Sequence, residues 1–142
     1  MAAIFCDAGE LEGLARWFYN SSQPTYWIHL YQNSFTPVAT MANDASDFEE
    51  CDFDGYAPVE LENWTLPATV AGIGVVSADT VSFVAGAGIG SPQDAVGYYV
   101  TLDEAGTQLL WAEEFVDGPF TFAAEDDTRE VTPTVNLRTR TS

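Results

Sequence analysis

Gly97-Tyr98-Tyr99-Val100-Thr101, an acidic turn at Asp103-Glu104-Ala105-Gly106, Leu109-Leu110-Trp111-Ala112-Glu113 and then Val131-Thr132-Pro133-Thr134-Val135 decide the fold. Aromatic and β-branched residues dominate these runs and suit a pleated, half-buried surface. The glycine-containing acidic stretch between the first two suits a hairpin connection of several residues. The region reads as an antiparallel sheet.

Working outward, the same reasoning places strands near 119–123 and 129–138 and, upstream, near 69–76, 79–85, 95–102 and 108–115. At 57–62, Val59 and Leu61 alternate with Glu60 and Glu62, the period-two pattern of a sheet with one wet face. Thr25 to Gln32 combines Tyr26, Trp27, Ile28 and Tyr31 with few helix formers and reads as a further strand. Residues 33–47 read as a loop with a helical turn near 47–51, and Gly86 to Pro92 as another loop.

The N-terminal segment breaks this pattern. Asp7-Ala8-Gly9-Glu10 resembles a capping box, with an acidic N-cap and a glutamate three residues on. Leu11, Leu14, Ala15 and Phe18 follow at helical spacing, so one short helix is expected over residues 8–19. It should stop at Asn20-Ser21-Ser22-Gln23-Pro24. One helix followed by many strands predicts a mainly β chain: an antiparallel, jelly-roll-like β-sandwich over 25–138 with a short N-terminal α-helix and a tail at 139–142. At 142 residues one domain is expected.

In wording and order, the GYYVT, LLWAEEF and VTPTVNL segments resemble a recurrent small structural protein of tailed bacterial or archaeal viruses. The likeness extends upstream to Ile28-His29-Leu30-Tyr31-Gln32-Asn33, Thr36-Pro37, Phe53-Asp54-Gly55-Tyr56 and Trp64. It implies a virion component and carries no catalytic signature.

Charge narrows the partners. Twenty-two acidic against four basic side chains give a formal net charge of −18, which opposes contact with phosphate backbones. Lysine is absent, and Arg129, Arg138 and Arg140 lie near the C-terminus, a locally less acidic stretch that could dock on an acidic neighbour. Such a surface also suits a salty habitat. The most apolar run, Thr69 to Ala87, is broken by Gly72, Gly74, Asp79 and Gly86 and is not expected to span a bilayer. Met1 to Glu10 lacks the basic start and apolar stretch of a secretory signal, so export by that route is not expected.

Candidate chemistry is sparse. Glu50-Cys51-Asp52-Phe53-Asp54-Gly55 tracks the start of a calcium loop, but Leu61 stands at the twelfth position and Pro58 interrupts the exit helix. A solvated acidic loop is the preferred reading. His29, the single histidine, has no ligands positioned beside it for zinc and no recognisable nucleophile for a triad, and reads as a packed or surface side chain. Glu113-Glu114 and Asp126-Asp127 are sequence neighbours, which in a strand point to opposite faces and do not form a two-carboxylate site. Cys6 and Cys51 read as buried thiols, with a bridge between them left open. Of four tryptophans, Trp17 beside Arg16 on the terminal helix is the one placed to face a neighbour.

The expectation is therefore a binding protein with no enzymatic activity, cofactor or metal: a capsid decoration or cement protein on the virion exterior, made in the host cytoplasm. It would bind the major capsid protein or other virion proteins through Trp17, Arg129, Arg138 and Arg140, as a small symmetric homo-oligomer, for example a trimer, and contact neither nucleic acid nor membrane. The alternative is a tail or fibre host-recognition module using loops such as 35–47 or 86–92 to bind a glycan or protein receptor. A tail or connector component is the third reading.

Overall fold

The computed structural model describes residues 18–19, 25–37, 45–107 and 109–137. Among them the chain is mainly β, with eleven strands, ten of them in antiparallel pairings, and one 3-10 turn at Ala45–Asp47. The helix expected over 8–19 lies outside the described residues except for Phe18 and Tyr19, and the tail at 139–142 lies wholly outside them. The strands are β1 (Tyr26–Tyr31), β2 (Val59–Leu61), β3 (Ala68–Val70), β4 (Ile73–Ser77), β5 (Val81–Val84) and β6 (Gln93–Ala95), followed by β7 (Gly97–Thr101), β8 (Leu109–Glu114), β9 (Phe120–Phe122), β10 (Thr128–Val131) and β11 (Thr134–Leu137). They form sheets ordered β2-β1-β7-β8, β10-β5, β11-β4-β3 and β6-β9, in which the pairs β1–β7, β7–β8, β5–β10, β4–β11, β3–β4 and β6–β9 run antiparallel.

The contacts divide the chain into two compact units. The larger holds Thr25–Glu60 and Val81–Val131. Its centre is the β1–β7 pair, in register Trp27 to Thr101, His29 to Tyr99 and Tyr31 to Gly97, with Ile28 opposite Val100 and Leu30 opposite Tyr98. Every residue of β7 is buried, as is all of β1 except Trp27. A half-buried strand was expected for Gly97 to Thr101; it is covered on both faces instead, which suits the near-continuous apolar run of YYV. One face packs Tyr31, Tyr99, Phe48 and Val96 together, with Phe35, Leu109 and Ala112 against them. Phe48 stacks on Tyr99 at 4.8 Å and meets Tyr31 edge-on at 4.9 Å, geometries that aromatic quadrupoles favour. Gly97 is required where it stands, since a Cβ would collide with the Glu113 carbonyl and the Tyr31 ring.

The smaller unit contains Leu61–Thr80 and 132–137, with Phe18 and Tyr19. Its sheet pairs β4 with β11 on one side and β3 on the other. Val76, Ala78, Leu61 and Pro133 are buried, and Phe18 packs on Trp64 with centroids 4.7 Å apart.

Three expected elements divide. The 69–76 strand is a hairpin, folded at Ala71 and Gly72, both with positive φ. The 95–102 strand is interrupted at Val96, between β6 and β7. The 129–138 strand stops at Val131 and resumes at Thr134, with Pro133, which lacks an N–H for a ladder, in the gap. The helical turn expected near 47–51 sits earlier, at Ala45–Asp47, because Glu50 bridges to Tyr31 and the Cys51 amide donates to the Leu30 carbonyl at 2.9 Å.

Candidate functional site

His29 is fully buried, and the β1–β7 register sets its imidazole over Tyr99 and beside Thr101. Its Nδ1 lies 2.8 Å from Glu50 Oε1 and its Nε2 lies 2.9 Å from Thr101 Oγ1. The same Glu50 oxygen accepts from the Tyr56 hydroxyl at 2.7 Å, and that hydroxyl accepts from the Leu30 amide at 3.1 Å. Carboxylate, imidazole and hydroxyl thus stand in the order of an acid–histidine–nucleophile relay.

The detail argues for a bracket. Thr101 is fully buried and its hydroxyl donates to the Asp103 carbonyl at 2.6 Å, so towards His29 its oxygen accepts and Nε2 donates. Nδ1 faces a carboxylate and donates as well. A hydroxyl with its proton on a backbone carbonyl, sealed from solvent, is badly placed to attack a substrate. Burial alone would raise the Glu50 carboxyl, but hydrogen bonds from His29 and Tyr56, together with the charge of His29, hold it below its ordinary value. Burial and the Glu50 carboxylate push the Tyr56 phenol up, which keeps it a donor. Sequence reading placed His29 in a strand but missed these partners; the signal was the alternation Trp27-His29-Tyr31 facing Tyr99 and Thr101, visible only once the two strands are in register.

The calcium-like stretch does not converge. Glu50 is committed to His29 and Tyr56, Asp52 Oδ1 accepts from Gln93 Nε2 at 2.7 Å, and Asp54 Oδ2 accepts from the Gly88 amide at 2.8 Å. The three carboxylates hold three different elements. No three His, Cys, Asp or Glu among the described residues form a metal-binding group. Cys51 carries a free, buried thiol that burial, followed by the neighbouring carboxylates, pushes up to about 12. Cys6 lies outside the described residues.

Of the residues expected to bind a partner, Trp17, Arg138 and Arg140 lie outside the described residues. Arg129, on β10, grips Asp117 with both guanidinium ends at 2.8 and 3.0 Å and lies 4.1 Å from the centroid of Phe115. It braces the turn from Phe115 to Gly118, closed by the Gly118 amide on the Phe115 carbonyl at 3.2 Å. At its tip Val116 is 98% exposed. The 86–92 loop is tied down by the Asp54 backbone carbonyl, which accepts from the Gly86 amide at 2.7 Å, and by the Asp54 carboxylate on Gly88. No helix among the described residues is long and apolar enough to cross a membrane. Comparison with protein-family models, curated proteins and solved structures finds no match.

Proposed function

We propose that this chain is a non-enzymatic virion structural protein, a decoration or cement protein that binds major capsid protein subunits across their junctions on the outer surface. The observation that carries this reading is where the polar groups go: Glu50, His29, Tyr56, Thr101 and Asp103 satisfy one another, which leaves the group with structural work rather than turnover. The segments that resemble viral structural proteins fall on strands β7 and β8 and on the end of β10 with β11, so the likeness lies along the sheet strands. A β-sandwich with a jelly-roll-like path and a helix at 8–19 is the architecture that goes with this reading. Binding across a junction opposes separation of shell subunits in proportion to the free energy of association. A net charge of −18 favours the exterior, since packaged nucleic acid would repel the chain from within.

The host-recognition reading draws on one feature, the exposed Val116 on a turn stiffened by Arg129 and Asp117. Quantitative mass spectrometry of purified particles whose genome encodes the chain separates the readings. Decoration requires copies in the hundreds; a number near that of a tail ring favours recognition, and absence from particles overturns both.

A further inference from the structure

Among the described strands, the β11-β4-β3 sheet alone has no charged side chain, in a chain with a net charge of −18. The uncharged run extends from Asn63 to Ala78 between two acids, the exposed Glu62 and Asp79, of which Asp79 accepts from Asn63 Nδ2 at 2.6 Å. Register puts Ala68 and Val70 of β3 on the same face as Val75 and Ile73 of β4. On this face Ile73 and Val75 are half-buried, but β3 is exposed along its length, with Val70 at 58%, and Leu66 just ahead of it is 68% exposed. Strand β3 pairs with β4 alone among the described strands, so its outer edge presents unpaired amides and carbonyls. The edge is short, three residues, but it carries none of the charges that usually guard an edge.

The hairpin tip adds a separate observation. Among the described residues three non-glycines have positive φ, Asn63, Ala71 and Asp126. Asparagine and aspartate tolerate that region, whereas alanine sits there against its preference. Ala71 and Gly72, at φ 50 and 77, form a two-residue turn of the kind that Asn-Gly occupies comfortably. An apolar tip is kept where a polar one would be more relaxed, and strain held in this way points to a use for the surface.

We propose that the β3–β4 hairpin is a self-association surface, and that its occupant is the same hairpin of a second copy of this chain. Charge selects the occupant: two strongly acidic copies repel wherever carboxylates face one another, and this sheet is where they meet without burying an ion. A short edge strand is also self-complementary, since β3 running antiparallel to its copy about a two-fold axis exchanges the same contacts in both directions. Two three-stranded sheets become one of six strands, in which Ala68 and Val70 of each copy become cross-strand neighbours. Such an edge-to-edge contact closes at two.

Sedimentation of the free, full-length chain over a concentration series tests this, independently of any role in a virion. The expected result is a monomer–dimer equilibrium that strengthens with added salt, because screening relieves the repulsion outside the contact. Val70→Glu should weaken it by about tenfold or more, with the melting temperature near that of the parent, and Leu66→Glu repeats the test if Val70→Glu unfolds. Val116→Glu, which adds the same charge at an exposed apolar residue of the other unit, should leave the dimer intact. A parent that stays monomeric at all concentrations, a particle of another size, a dimer indifferent to Val70→Glu and Leu66→Glu, or one equally weakened by Val116→Glu would each overturn the proposal.

Discussion

The imidazole of His29 lies flat on the ring of Tyr99, with centroids 4.7 Å apart and 8° between the planes. The two residues face each other across the β1–β7 ladder, so the stack is a cross-strand pair and orients the imidazole edge-on to both Glu50 and Thr101. Removing the ring would strand a carboxylate and leave a cavity together. His29→Ala is expected to cost about 3 kcal/mol of unfolding free energy, chiefly from the cavity left by a fully buried ring, since Glu50 is partly solvated. In a double-mutant cycle with Glu50→Gln, read by urea unfolding, the coupling should reach about 1 kcal/mol or more. Additive losses would mean that the 2.8 Å contact carries no energy of its own.

The Glu50 carboxyl is held below its ordinary value of 4.5, so its stabilising contribution is complete above that value and disappears as pH falls through the depressed one. Asp117, bonded to Arg129, and Asp127, which accepts from the Ala123 and Ala124 amides, are lowered as well and act in the same direction. Stability should therefore fall on acidification below about pH 4.5. Glu50→Gln should lower stability at neutral pH by about 1 kcal/mol, a modest figure because the Glu50 side chain is 33% exposed. It should also flatten the acid limb, as measured by thermal melts between neutral and acid pH. A variant with an unchanged acid limb would remove Glu50 from the account.

Much of the sheet was legible because strand chemistry is local. Tyr98, Tyr99 and Val100 favour extended backbone whatever they pair with, and the acidic Gly106 turn separates β7 from β8. What escaped was set by pairing. Val70-Ala71-Gly72-Ile73 looks continuous with a strand because alanine carries no turn signal, and only the positive φ at both central residues exposes the hairpin. His29, Glu50, Tyr56 and Thr101 are scattered along the chain, and neither spacing nor composition brings them together. Their convergence follows from the antiparallel register and the Tyr31–Glu50 bridge.

Arg129 separates charge from geometry. Asp117 is 60% exposed, so the ion pair itself contributes little, and Arg129→Lys should cost about 0.5 kcal/mol. Arg129→Ala also uncovers the Phe115 face and removes the brace under the Phe115–Gly118 turn, so its cost should be larger, about 1–2 kcal/mol. Equal losses for the two variants in urea unfolding would show that the cation is not working through the aromatic ring.

Ala71 offers the sharpest test of the hairpin. A left-handed backbone costs an ordinary L-residue about 1–2 kcal/mol, a cost that asparagine partly avoids by hydrogen-bonding locally. Ala71→Asn is therefore expected to raise the stability of the smaller unit by about 0.5–1 kcal/mol, and Ala71→Gly to raise it less, since glycine gains freedom in the unfolded chain. Ala71→Val should do the opposite, because a β-branched side chain is least tolerant of φ near 50. Thermal melts of the three variants would show the order Asn, Gly, parent, Val from most to least stable. A parent more stable than Ala71→Asn would mean that the tip at Ala71 and Gly72 does not hold the turn described for it.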